Sequence, residues 1–224
     1  MVAALALTIL LPNSLHALRP SCPFSVATMF SKYLNEDSLP PENRDMLTIY
    51  FGPKEREEHI VNVADGMFIY RKRGVPVFTE VGGYLTLSPF AFSTDEELFV
   101  ASPEQLLDLR RMNPFKSVHH SSFTGGKEVL GVGNIGVALG RLIYIDDNSG
   151  HYDRKPEHLV QVLEWLFEKG VVLRDVRVQF IDQNSLLPEL LQRLLIIGVR
   201  EENIRGIQIR PLLPEELPSD AYIP

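Results

Sequence analysis

A single cysteine, Cys22, excludes an intramolecular disulfide and any zinc site built from several thiolates. That usage fits a reducing compartment. Positive charge is also scarce. Twenty-two Lys and Arg face 29 Asp and Glu, the formal charge is -7, and no basic block occurs. This balance argues against a nucleic-acid backbone as partner. No apolar stretch approaches the ~20 residues that cross a bilayer, so no transmembrane segment is expected. The nearest, "VAALALTILL", has the length of a signal-peptide core but no basic residues before it. A cytoplasmic location is the expectation, with secretion or delivery as an effector as the competing reading. Walker A, G-x-S-x-G and H-E-x-x-H sequences are all missing. Each is the signature of one chemistry: phosphate cradling, the hydrolase elbow and helix-borne zinc.

The 224 residues suffice for one domain with a sizeable core. Residues 1–44 read as an N-terminal arm and linker, because "NEDSLPPENR" is polar and Pro40-Pro41 forbids a regular helix. Residues 45–224 read as one α+β domain. "MLTIYFG", "MFIYRKRG", "VPVFTEV", "YLTLSPFAFS" and "EELFV" are short, β-rich and punctuated by glycine, as in an antiparallel meander. "SPEQLLDLRRM" predicts a helix with Ser102 as N-cap, Pro103 at the first position and Gln105 closing a capping box. Leu106, Leu109 and Met112 would share one face. "KPEHLVQVLEWLFEKG" predicts the clearest helix, with Leu159, Val162, Leu163 and Leu166 in one stripe. Strand, helix and strand follow in "VRVQFID", "SLLPELLQRLLIIG" and "IRGIQIRPL". The expected fold is therefore α+β, a largely antiparallel central sheet with flanking helices and a C-terminal helix-strand-helix-strand segment.

"GVGNIGVALG" matches G-x-G-x-x-G, the dinucleotide fingerprint. No complete βαβ unit surrounds it, because "RLIYI" returns to strand at once. A glycine-rich hairpin approached closely by another element is the stronger reading. Before it stands "HHSSF", His119 to Phe123; after it stands "SGHY", Ser149 to Tyr152. Adjacent His119 and His120 point opposite ways if extended, so only one faces a given pocket. With His151 and an aspartate (Asp146, Asp147 or Asp153) it would make a sparse metal set, too weakly patterned to support a metal. No cofactor follows from these residues.

These blocks carry a resemblance. His120, Ser121, Ser122 and Phe123, then Ser149, Gly150, His151 and Tyr152, then Pro156 and its helix, resemble the core of the plant IQ-motif calmodulin-binding proteins. Related segments occur in fungal and bacterial proteins. The likeness covers roughly 60 residues, and "TGG" stands where "LAG" is usual. It implies no settled enzyme mechanism. The IQ element of the plant members is missing here, so calmodulin binding does not carry over.

If "KEVLGVGNIGVALGRLIYIDD" is a hairpin turning near Asn134 to Gly136, its ends bring the two blocks together. A polar pocket would form. His120, Ser122 and His151 are its candidate catalytic residues, a histidine serving as base near neutral pH. His119, Ser121, Ser149, Gly150, Tyr152, Arg154 and Lys155 are the candidate ligand contacts, with the Pro156 helix start favouring an anion. The leading expectation is a domain that binds a polar or anionic small molecule, with a hydrolase or group-transfer enzyme as its more concrete form. The alternative is a non-catalytic protein-interaction or effector module whose His and Ser side chains hold loops together.

Overall fold

The computed structural model describes residues 24–31, 48–181 and 187–206. The apolar N-terminus, Cys22, the 35–44 linker and the tail from Pro211 lie outside them. The fold is α+β. A short helix α1 (Pro53–Arg56) and a 3-10 turn (Glu57–His59) lead into β1 (Ile60–Ala64) and β2 (Met67–Tyr70). The small hairpin β3 (Glu80–Val81) and β4 (Tyr84–Leu85) precedes β5 (Ser88–Ser93) and β6 (Leu98–Val100). Helices α2 (Pro103–Met112) and α3 (His120–Thr124) follow, then β7 (Val129–Ala138) and β8 (Arg141–Asp146). The chain continues with α4 (Pro156–Glu168), β9 (Arg177–Phe180), α5 (Pro188–Ile196), a 3-10 turn (Glu201–Asn203) and β10 (Ile204–Gly206).

The main sheet has the order β10-β9-β8-β7-β5-β6-β1-β2. From β8 to β2 every pairing is antiparallel; β8-β9 and β9-β10 are parallel. The parallel part is the expected C-terminal helix-strand-helix-strand segment. The antiparallel part curls until its edge meets the β7–β8 turn. Phe68 N–H of β2 donates to Gly140 O at 2.8 Å, and Gly140 N–H donates to Val77 O at 2.9 Å.

Alternation along the strands supplies two main cores, beside a third small cluster of Leu85, Ala138, Ile143 and Tyr144. Phe90 and Phe92 of β5 and Leu98 and Val100 of β6 join the larger core with α4 and α5. Ala91 and Phe99, between them in sequence, face the smaller core with Phe123, Val129 and Tyr152. The α4 stripe Leu159, Val162, Leu163 and Leu166 is buried as its spacing predicts, and Trp165 is a core residue beside Phe92. Half-buried Arg193 of α5 clasps Glu164 of α4 through two bonds of 2.7 and 2.6 Å.

Helix α2 shows its predicted capping box. Ser102 Oγ accepts from Gln105 N–H at 3.2 Å, and Gln105 Oε1 accepts from Ser102 N–H at 2.9 Å. Ser102→Ala should cost about 1 kcal/mol, the usual worth of such a cap, read as a lowered urea midpoint. An unchanged midpoint would show that the box contributes nothing.

Three local expectations change. Met112 lies on the exposed side at 69%, while Leu106 and Leu109 are half-buried, because α2 ends where the chain leaves the body. "MLTIYFG" forms no ladder strand within residues 48–52; Thr48 makes one isolated bridge to Ser117. In "VPVFTEV" only Glu80–Val81 is a strand, with Pro76 bridged to Ile69.

Candidate functional site

The β7–β8 hairpin does bring the two polar blocks together, but it turns elsewhere than expected. The turn is Leu139-Gly140, with φ of 48° and 77°. Positive φ at both central residues is the turn whose twist suits a two-residue hairpin. Asn134 and Gly136 are strand residues, paired with Pro89 and Tyr144. The glycine run is therefore strand as far as Ala138, and Gly131 and Gly133 within it answer close approaches. A Cβ on Gly131 would meet the Val162 side chain and lie 3.1 Å from His158 O of α4. A Cβ on Gly133 would run into Asp146 O of β8 and lie 2.7 Å from its carbonyl carbon.

"HSSFT" is a short helix, α3, rather than an extended loop. His119 is its N-cap residue and Gly125 ends it at φ 65°. Ser122 Oγ accepts from His119 N–H at 2.9 Å, reaching back as the third residue of a capping box does. Ser121 faces the other way: its Oγ lies 2.9 Å from His151 Nδ1. The His151 ring stacks on His119, centroids 4.4 Å apart. His120 turns to the sheet, with Nε2 2.8 Å from Gly133 O. That contact requires the proton on Nε2, since a carbonyl only accepts. Burial, the largest influence, pushes His120 down to about 4, and His119, His151 and Arg154 add to it.

The second block is wired just as closely. Tyr152 is fully buried; its hydroxyl donates to Lys127 O at 2.8 Å and lies 2.7 Å from Thr124 Oγ1. Ser149 Oγ accepts from Tyr152 N–H at 3.4 Å. A Cβ on Gly150 would meet nothing within 4 Å among the described residues. At the start of α4, Lys155 is exposed, and its N–H donates to His158 Nδ1 at 3.0 Å. Arg154 is half-buried, and its Nε has no hydrogen-bond partner among the described residues.

Of the three candidate catalytic residues, Ser122 and His120 each bond to backbone and His151 bonds to Ser121. The Ser-His contact involves Ser121, not Ser122. A nucleophile must reach a substrate carbonyl, yet Ser121 and Ser122 expose nothing and His120 and His151 expose 8% and 6%.

Further polar residues belong to this neighbourhood. Buried Asp146 accepts from Asn134 N–H at 2.7 Å and Asn148 N–H at 2.9 Å, and Tyr144 donates to its other oxygen at 3.0 Å. Burial raises its carboxyl above the usual range, against the lowering effect of these bonds. Asp147 accepts from Ile181 N–H at 2.8 Å, and burial raises it too. Among the described residues, no three His, Cys, Asp or Glu side chains gather as a metal set. Gln161 and Thr124, which the sequence did not single out, tie α4 to residue 25 and α3 to Tyr152. Only the amphipathic position of Gln161, inside an apolar stripe, hinted at a buried role.

The family model for the IQ motif-containing protein middle domain matches residues 55–159. The resemblance to the plant IQ-motif proteins therefore holds over the region that carries both blocks. The IQ domain-containing protein IQM3 of Arabidopsis thaliana is 32% identical over 136 residues, 61% of this chain and 28% of its own length. IQM2 of the same plant is 30% identical over 136 residues, 61% of this chain and 21% of its own. IQM5 is 29% identical over 154 residues, 69% of this chain and 28% of its own. The chain thus spans about a quarter of the length of the curated relatives it matches. No solved structure matches it.

These findings overturn the leading functional expectation. The relatives are named for an IQ domain and not for a reaction, and the candidate nucleophiles are closed to solvent. The small-ligand, hydrolase and group-transfer readings are withdrawn. Among the described residues no helix is long and apolar enough to cross a membrane.

Proposed function

We propose that the chain is a non-catalytic protein-interaction module in which the His and Ser blocks are architectural. One observation carries this reading: their hydroxyl groups are buried and bonded within the fold, Ser121 to His151, Ser122 to the His119 backbone, and Ser149 to the Tyr152 backbone. Such bonds are worth about 0.5–1.5 kcal/mol each, and more is lost when a buried partner is stranded. The Ser121–His151 bond fastens α3 to the 149–152 loop, and the other two brace each block internally. Residues 1–44 serve as an arm to the 45–224 domain. Similarity to IQ domain-containing proteins supports a protein partner, and the acidic balance continues to disfavour nucleic acid.

The test is purification of the tagged full chain from its own cells, followed by reconstitution with whatever co-purifies. A saturable, stoichiometric protein partner is expected. Ser122→Ala should bind it as tightly as the unaltered chain at temperatures where both are folded. A chain with no such partner, whose Ser121 or Ser122 is labelled by a serine-directed phosphonate, would sink the reading.

A further inference from the structure

Residues 24–31 form a strap across the two signature blocks. It adds to the sheet beside the first residues of β7, where β8 has not yet begun to pair. Ala27 and Val129 exchange both main-chain bonds, at 2.8 and 3.1 Å. Phe30 N–H donates to His151 O at 2.9 Å, and Asp153 N–H donates to Thr28 O at 2.8 Å, framing an antiparallel Met29-Tyr152 bridge. The Gln161 side-chain amide reads Ser25 at both ends, accepting its N–H at 3.1 Å and donating to its carbonyl at 2.6 Å. Six main-chain groups between Ser25 and Phe30 are therefore satisfied by the body.

The side chains alternate as in a strand. Ala27 and Met29 are buried, while Val26, Thr28 and Phe30 are exposed. Ala27 enters the smaller core, and the Met29 sulfur rests over Gly126, where a Cβ would lie 2.7 Å from it. Ser25 Oγ lies 3.0 Å from His158 Nε2. His158 Nδ1 accepts the Lys155 N–H, so Nε2 carries the proton and donates to the serine. No residue of the strap is charged.

The strap lies outside the 55–159 segment that matches the family model, whereas the hydrogen-bond partners named above, except Gln161, lie inside it. The matched segment thus lines a groove with a main-chain edge, a hydroxyl-reading histidine and two apolar sockets, and Gln161, two residues beyond it on α4, adds a side-chain amide. The occupant arrives from elsewhere in the chain. These are the parts of a strand-addition peptide site: backbone bonds supply affinity, and sockets for alternate side chains supply selectivity.

We propose that this groove is the docking site for an extended, uncharged segment of a partner protein. That segment has a hydroxyl residue, a small residue two positions on and a methionine-like residue two beyond that. The strap holds the groove in cis and must leave before the partner enters. This rests on the protein-interaction reading and names its surface.

The experiment uses the full chain carrying Ala27→Asp, which places a carboxylate in the apolar socket and expels the strap. The probe is a fluorescent peptide of residues 23–31, PFSVATMFS. It should bind the variant saturably at one site, and the unaltered chain at least ~100-fold more weakly, since the cis strap competes as a ligand at high effective concentration. The same peptide with Ala27→Asp should not bind. Equal binding to both chains, or to neither, overturns the proposal.

Should Ala27→Asp fail to fold, hydrogen exchange on the unaltered chain decides. The amides of Ala27, Phe30, Val129 and Asp153 should exchange as a group, at least ~100-fold faster than the β5–β7 ladder, as a local opening unit does. Exchange only together with that ladder overturns the proposal. A concentration-dependent dimer that exchanges straps makes a second copy the occupant, and also overturns it. If the groove rejects the peptide while a stoichiometric partner still binds the chain, this inference fails and the interaction reading stands.

Discussion

Gly133→Ala is expected to leave a chain without a cooperative thermal transition, or with a Tm lowered by more than ~10 °C. Gly133 sits in the middle of β7 and is opposite Phe90 of β5. An added Cβ would overlap Asp146 O, lie 2.7 Å from the Asp146 carbonyl carbon and touch the Phe90 ring at 3.0 Å. The obstacle is main chain, so no rotamer change relieves it. Overpacking that side chains can absorb costs about 1–3 kcal/mol. Here β7 and β8 must separate, and domain stability is only about 5–15 kcal/mol. The same movement would carry Gly133 O away from His120 and Asn134 away from Asp146. Gly150→Ala is the control: its Cβ would meet nothing within 4 Å, and its φ is not positive. Thermal melts followed by circular dichroism should show the control within about 0.5 kcal/mol of the unaltered chain, as for an ordinary surface change. A Gly133→Ala Tm within 2 °C of it, roughly the noise of a neutral substitution, would refute the close approach.

The second large effect is with pH. His120 is held at about 4 by burial, against 6.5 when unfolded. Below pH 6.5 the unfolded chain takes up a proton that the folded chain refuses. Its contribution is complete above pH 6.5 and is lost as pH falls from there to about 4. The full loss is about 3 kcal/mol at 1.36 kcal/mol per pH unit. His59, stacked on Phe51, is likewise pushed down to about 4, chiefly by burial and then by Arg73, and His158 is lowered by burial. Raised carboxyls at Asp146 and Asp147 act in the opposite sense, because the folded chain then holds the proton more firmly. The whole-protein profile mixes these, so the test is a difference. His120→Gln should be less stable than the unaltered chain at pH 7.5. The gap should narrow by up to about 3 kcal/mol between pH 6.5 and 4, in urea unfolding at each pH. A gap that stays constant across that range would show that His120 is not held neutral.

Much of the secondary structure was readable because its signals are local. A cap at Ser102 needs only Gln105, and the α4 stripe needs only its own sixteen-residue stretch. The meeting of the two blocks was readable too, since a hairpin brings its ends together wherever it turns. Its turn was misplaced because glycine marks both loops and crowded strands. Leu139 at φ 48° carries no turn signature, whereas Asn134 and Gly136 look like one and lie in β7.

The sequence by itself determined the fold class, the helices α2 and α4 with their starts, and the convergence of the His and Ser blocks. Periodicity and capping act within a few residues, and a hairpin is a local object. Only the tertiary structure decided what those side chains do. Ser121 finds His151 30 residues away, and Ser25 finds Gln161 136 residues away. Whether a hydroxyl is a nucleophile or a fastener depends on which chain crosses over it and shuts out water. That closure is a property of packing between distant segments, which no stretch of neighbouring residues encodes.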